Sequence, residues 1–342
     1  MIVVGIESSC DETSVAILSG NKPKANLISS QDFHSKYGGV VPELSSRAHL
    51  QIIKPLLDDA LKKANIKIED VDLFAATAGP GLIGALLVGF TFAKGLALSL
   101  NKPFIAVDHI EGHIFSGFLM NEKPEFPFLA LVVSGGHTLL LNVKSFTEIN
   151  LLGNTLDDAA GEAFDKVSKM LGLGYPGGPQ VQRAALEGNS HKIAFPIADL
   201  KDPYDFSFSG LKTAVLRYIQ KHFKDEKIPE LDLPDIAASF QNAVVSALTR
   251  NTEKALKNID VKTICVVGGV AANGLLRERM KKLAKKYEKK IVIPDIQFCG
   301  DNAAMIAFRG KSLYDAGRRD NLYAKPFPSL QNSEYKFHKV QS

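Results

Sequence analysis

Residues 2–18 read IVVGIESSCDETSVAIL, an apolar run, a short polar turn and a second apolar run. Two β-rich segments this close together predict a hairpin, and the exposed amides of such a turn suit an anion. The pattern returns at 128–143, FLALVVSGGHTLLLNV, and in altered form from Thr263, TICVVGGVAANGLL. There a strand ends in Gly268 and Gly269, and a helix opens near Asn273, where the helix dipole favours a phosphate.

Working outward, apolar residues at three and four spacings predict helices over Pro42–Ala64, 157–171, 236–256 and 275–286. Strands alternating with helices predict an α/β fold, and the repeated hairpin points to a duplicated lobe. A chain of 342 residues is long for one domain, so two lobes and a cleft are expected. The expected division is an N-terminal lobe of 1–108 plus about 305–330 and a C-terminal lobe of 109–304 with the metal and nucleotide site at the cleft. A tail of 331–342 follows, and order is expected to fade after about Tyr323.

Three cysteines, Cys10, Cys265 and Cys299, have no paired spacing, which argues against a disulfide framework and a thiolate zinc site and fits a reducing cytoplasm. No signal-peptide pattern precedes the first apolar run. Residues 73–93 carry no charge, but Gly79, Pro80 and Gly81 break them. They read as a strand, a turn and a buried helix, and no membrane partner is expected.

Net charge is only +4, too small to name a partner. Residues 277–290, RERMKKLAKKYEKK, hold eight Lys or Arg against two Glu. That segment is either a solvated helix face or a phosphate-backbone contact.

In VDHIEGHIF, His109 and His113 stand four apart, so a helix there puts both imidazoles on one face, about 5 to 6 Å apart at Cβ. Glu111 points elsewhere, unlike the base of H-E-x-x-H, which argues against a metallopeptidase. Asp301, in CGDNAAMIA, is the candidate third ligand; its plain alternative is an N-cap. Ser134, Gly135 and Gly136 offer bare amides, or simply a hairpin turn. Asp11 and Glu12 are candidates to orient a water or take a proton, or to solvate their turn. No Walker A motif is present, because Gly310-Lys311-Ser312 has Met305 where the first glycine belongs.

Together, IESSCDET, YGGVVPELSSRAH, HIEGH, VSGGHT, DDAAGEAFDK, GYPGGP, FSFSGLKTAV, GGVAANGLLR and CGDNAAMIA resemble the TsaD family of tRNA threonylcarbamoyladenosine synthesis, in its bacterial form. The resemblance spans Met1 to about Ala307. It implies the actin, Hsp70 and sugar-kinase (ASKHA) fold, with duplicated mixed-sheet lobes around a nucleotide cleft. The implied reaction moves a threonylcarbamoyl group from threonylcarbamoyl-AMP to N6 of the adenosine 3′ of the anticodon.

By the same resemblance, His109, His113 and Asp301 hold one divalent metal ion, Fe(II) or Zn. Backbone at Val132, Val133, Ser134, Gly135 and Gly136 contacts the acyl-adenylate, while Asp165, Gly178 and Asn273 complete the substrate site. Gln182 departs from the pattern, standing where some members have a carboxylate. Asp11 and Glu12 are the expected catalytic carboxylates. The implied partners are the tRNA anticodon loop, a TsaB-like paralogue docking near Pro42–Ala64, and a TsaE-like ATPase. A metallopeptidase and an ATPase or kinase of the same fold are the competing classes.

Overall fold

The structure, a computed structural model, describes residues 1–37, 39–223, 227–329 and 338–339. Its contacts divide the chain into two α/β units. The first joins Met1–Lys123 to the chain from Pro294 through the described residues up to 329; the second is Pro124–Ile293 with 338–339. The expected breaks at 108/109 and 304/305 are corrected to Lys123/Pro124 and Ile293/Pro294. His109, His113 and Asp301 therefore belong to the first unit, not to a C-terminal lobe. Packing is the reason: the helix bearing the two histidines follows a strand of the first sheet, and the helix after Asp301 lies on that sheet.

The first sheet contains β1 (Ile2–Glu7), β2 (Glu12–Ser19), β3 (Lys22–Ser30), β4 (Leu73–Gly79) and β5 (Phe104–Asp108) in the order β3-β2-β1-β4-β5. β1, β2 and β3 pair antiparallel, whereas β4 and β5 are parallel to β1. β1 and β4 are buried along nearly their whole length. Continuous apolar runs of this kind are what a strand covered on both faces requires. α1 (Pro42–Ala64) and α2 (Ile83–Ser99) contribute to a core with Phe74, Phe90 and Leu57. Each fully buried side chain of this size contributes about 1.5 to 3 kcal/mol. α9 (Ala303–Asp315) packs on β1, β2 and β4. It comes so close that a Cβ on Gly5 would stand 2.3 Å from the Ala303 carbonyl oxygen.

The second sheet contains β6 (Phe128–Val133), β7 (Thr138–Val143), β8 (Ile149–Asn154), β9 (Thr263–Val267) and β10 (Lys290–Val292), with the short β11 (His338–Lys339) beside β8. Its order, β10-β9-β6-β7-β8-β11, repeats the first: an antiparallel β6-β7-β8 meander, then two strands parallel to β6. The expected duplication is thus present in the topology, and both units have the ASKHA-type α/β architecture. α4 (Ala160–Met170), α5 (Gly177–Ala184), α6 (Ser209–His222), α7 (Leu233–Asn258) and α8 (Gly274–Lys286) complete this unit.

The predicted helix at 157–171 starts later, at Ala160. Asp157 instead accepts hydrogen bonds from Ser207 Oγ (2.6 Å) and Phe208 N (2.8 Å), and Asp158 pairs with Lys166 and Lys212. Expected loss of order after Tyr323 is corrected as far as 329. Phe327 donates its amide to the Ala78 carbonyl (2.8 Å), and its ring joins the first core. The rest of the expected tail, 331–342, lies outside the described residues except for 338–339. No helix among the described residues is long and apolar enough to cross a membrane; residues 73–93 are β4, a turn and part of α2.

Candidate functional site

The first cluster forms at the carboxyl ends of β1 and β5, where α/β sheets commonly bind ligands. β5 ends at Asp108, whose Oδ1 accepts from the amides of Ile110 (2.8 Å) and Glu111 (3.1 Å) and so caps α3 (His109–Phe115). Burial and the neighbouring Glu111 push the Asp108 carboxyl up to about 7, against those two backbone bonds. The cap starts a helix at the first histidine, which gives the pair its predicted shared face. The two rings lie 4.7 Å apart, edge to face.

Asp301 stands just before α9. Its alternative as a cap is excluded, because Asn302 Oδ1 accepts from the Met305 amide (3.1 Å) and does the capping. The Asp301 carboxylate turns to the histidines, with Oδ1 at 3.0 Å from His113 Nε2 and 3.5 Å from His109 Nε2. One donor atom from each of the three residues lies within 4.8 Å of the others. Two imidazoles and one carboxylate in this arrangement fit a divalent ion and leave coordination positions open. His113 Nδ1 is buried without a partner among the described residues.

Glu7, which the sequence reading passed over, lies behind the cluster. It is fully buried and its Oε2 is 3.1 Å from His109 Nδ1 and accepts from Thr77 Oγ1 at 2.5 Å; its Oε1 accepts from the Ser9 amide at 2.6 Å. A carboxylate at Nδ1 fixes the proton there and leaves Nε2 as the donor atom facing Asp301. Burial disfavours charge on both members of the pair. The nearby carboxylates of Asp301 and Glu7 outweigh this for His109, raising it to about 9. His109 in turn holds Glu7 below the usual carboxylate range. The only available signal for Glu7 was an acid ending an otherwise apolar strand.

Asp11 lies in the β1–β2 turn and Glu12 opens β2. Burial, then the charges of Asp301, Asp11 and Glu7, push the Glu12 carboxyl up to about 8 against a hydrogen bond to Ser30. The turn is anchored through the Cys10 carbonyl, which accepts from Ser45 Oγ and lies 3.0 Å from His49 Nε2; His49 Nδ1 meets Thr13 Oγ1 at 2.7 Å. His49 was also passed over, since a histidine inside a long helix carries no sequence signal of its own. Glu111 is held away from chemistry, as expected. Its Oε2 is 2.7 Å from both Nε and Nη2 of the buried Arg309.

The second cluster belongs to the second unit. Val132 and Val133 end β6 and are buried. The following turn closes between the Ser134 amide and the His137 carbonyl (2.8 Å), leaving the amides of Gly135 and Gly136 without a hydrogen-bond partner among the described residues. Gly161, at the head of α4, donates to the Ser134 carbonyl (3.2 Å). Gly268 crosses the same strand end with φ +92°, where a Cβ would lie 2.4 Å from the Val133 carbonyl oxygen. Asp165 on α4 accepts from the Gly177 amide (2.7 Å), which sets Gly178 at the head of α5.

Asn273 caps α8, with Oδ1 accepting from the Leu276 amide (3.0 Å) and Nδ2 donating to Gln241 (2.8 Å). Gln182 Oε1 accepts from the Gly274 amide at 2.7 Å, a contact a carboxylate would make equally well. The basic segment 277–290 is mostly paired: Lys282 with Glu278, Lys286 with Glu253, Lys289 with Asp260 and Lys290 with Glu125.

Comparison with known proteins identifies the family of the chain. The sequence model of the family TsaD, tRNA N6-adenosine threonylcarbamoyltransferase, matches residues 24–308. The chain belongs to this family. A tRNA N6-adenosine threonylcarbamoyltransferase of Thermosipho africanus is 52% identical over 334 residues, covering 97% of this chain and 100% of the relative. As a TsaD-family member the chain is a transferase that modifies tRNA. Among solved structures, T. kodakarensis HypF superposes with a TM-score of 0.63 at 14% identity, covering 92% of this chain and 48% of that one. Component A of the Acidaminococcus fermentans (R)-2-hydroxyglutaryl-CoA dehydratase gives 0.54 at 16% identity, covering 93% and 100%. At such identities these likenesses bear on the fold alone.

Proposed function

We propose that the chain transfers the threonylcarbamoyl group of threonylcarbamoyl-AMP to N6 of the adenosine 3′ of the anticodon, in tRNAs reading codons that begin with A. The observation that carries this reading is the convergence of His109, His113 and Asp301 donor atoms within 4.8 Å, in a chain of the TsaD family. An exocyclic adenine amine is a weak nucleophile, because its lone pair is delocalised into the ring. The acyl group must therefore arrive activated, and a mixed anhydride with AMP meets that need. The N6–carbon bond forms, the acyl–oxygen bond to phosphate breaks, AMP leaves with the electron pair, and the amine proton passes to a carboxylate.

His109, His113 and Asp301 would hold a divalent ion, Fe(II) or Zn, which when bound supplies Lewis-acidic charge for the donor's oxygens. Glu7 keeps His109 in the tautomer that this requires. Glu12, or Asp11 beside it, takes the amine proton in its ionised form. In the second unit, the amides of Gly135 and Gly136 receive phosphate or oxyanion, Val132 to Ser134 line the adenylate, and Asp165 accepts from hydroxyl groups. Gly178 and Asn273 border the nucleotide. The acceptor in a single-stranded loop needs no duplex opening.

A TsaB-like paralogue would dock on α1, where Leu50 is exposed. A TsaE-like ATPase and a separate donor synthase complete the cytoplasmic system. A peptidase reading finds no support in Glu111, whose carboxylate is committed to Arg309.

The test is nucleoside mass analysis of unmodified tRNA incubated with threonylcarbamoyl-AMP, the partner proteins and either the chain or its His109→Ala, His113→Ala variant. Threonylcarbamoyladenosine is expected only with the unmutated chain, with at least about a 10³-fold loss of rate in the variant. No product from either, in a mixture where a proven enzyme succeeds, overturns the transferase assignment. Equal product from both removes the metal role.

A further inference from the structure

Ser209, Gly210, Thr213, Ala214, Arg217, Tyr218, Lys221 and His222 recur along α6 at three and four spacings and so share one face. With residues 193–196 that face bounds an open groove of about 720 Å³, ample for a nucleotide-sized group. Its lining combines small side chains with cations and rings. α6 carries Lys212, Arg217 and Lys221 and no carboxylate. Lys212 lies 3.3 Å from Asp158, but Arg217 and Lys221 are exposed and unpaired among the described residues. Among the described residues, no carboxylate lines the groove.

Aromatic surface stands between those cations. Phe195 meets Tyr218 edge to face at 5.9 Å, and Tyr218 lies against His222 at 4.4 Å. Segment 277–290 has the greater sequence charge, but carboxylates of its own unit already neutralise four of its lysines. Among the described residues, α6 thus carries unpaired cations beside rings.

We propose that this groove of the second unit binds a single-stranded stretch of the RNA substrate; the inference rests on the tRNA-modifying reading above. Arg217 and Lys221 contact neighbouring phosphates, being one helical turn and about 6 Å apart along the axis. The Phe195, Tyr218 and His222 rings offer a stacking surface to a base. Cations interleaved with rings are what single-stranded nucleic acid requires, and arginine's planar fork suits phosphate oxygens. An acidic peptide would use the cations and leave the rings without a matching group.

The test measures the affinity of the full-length chain for unmodified tRNA across a salt series. Arg217→Glu with Lys221→Glu is expected to weaken binding at least tenfold and to flatten the log–log salt slope by about 1.4, as two lost single-strand contacts imply. Tyr218→Ala is expected to weaken binding about 5- to 100-fold with its slope unchanged, the signature of stacking. Lys282→Glu with Lys286→Glu, two lysines of α8 already paired with carboxylates, serves as the comparator and should change the slope less. Thermal melts matching the parent exclude unfolding as the cause.

Parent-like affinity and slope in the α6 double variant overturn the proposal. So does retained tRNA binding with lost binding of a poly-glutamate peptide, which would make the groove a protein site. If the unmutated chain neither binds nor modifies tRNA, the tRNA reading fails and the groove assignment falls with it.

Discussion

The two sheets follow one path, β3-β2-β1-β4-β5 in the first unit and β8-β7-β6-β9-β10 in the second, but their hairpin turns have opposite chemistry. In the first, the turn is acidic, with Asp11 and Glu12 anchored through the Cys10 carbonyl by Ser45 and His49. In the second it is Ser134-Gly135-Gly136-His137, short and without a carboxylate. Carboxylates suit a cation or a proton, whereas bare amides suit phosphate. Equivalent turns of a duplicated scaffold thus carry residues of contrasting chemistry.

The largest contrast is between glycines of structure and glycines of function. Gly268→Ala should destabilise the second unit by about 3 kcal/mol or more, because φ is positive and a Cβ meets the Val133 carbonyl. Gly135→Ala, with open space around its Cβ, should change stability by less than about 0.5 kcal/mol while weakening adenylate binding. Denaturant midpoints for both, with donor titration for the second, check the pair. A large stability loss at Gly135 would make that turn a fold element only.

Smaller in effect, Glu7→Gln should lower divalent-metal affinity by about 10- to 100-fold, since the carboxylate that orients His109 is lost. Competition against a chelator measures this. Unchanged affinity would reduce Glu7 to a group that only joins β1 to β4 through Thr77.

The smallest effect depends on pH and concerns metal-free protein. Glu12 is raised from 4.5 to about 8 on folding, so its neutral form is favoured in the native state. The stability this contributes is fully present below pH about 4.5 and lost as pH rises through about 8. Glu12→Gln cannot ionise and escapes that loss. Its melting temperature should match the parent near pH 4.5 and exceed it by a few degrees at pH 9, roughly 1 to 2 kcal/mol after allowance for partial exposure. An equal difference at both pH values would locate the effect in packing instead of charge.

Periodicity made α1 legible to its ends, Pro42 and Ala64, and the uncharged run 73–93 resolved into β4, a turn and a helix, though α2 is half-buried with Ile83 and Leu87 exposed. Spacing also found the histidine pair, because i and i+4 positions meet on any helix. It failed where a contact joins distant segments. Glu7, Asp301 and the histidines come from three parts of the chain, and the unit boundaries follow where α3 and α9 pack, which no local pattern records.

By itself the sequence determined the α/β class, the repeated hairpin and the candidate ligands, since these depend on residue type and short-range spacing. Tertiary structure alone decided that Asn302 and not Asp301 caps α9, that Glu7 meets His109, and that most lysines of 277–290 are already neutralised. The physical reason is that charge and hydrogen-bonding capacity are properties of a residue, whereas their availability is set by whatever neighbours folding brings within reach.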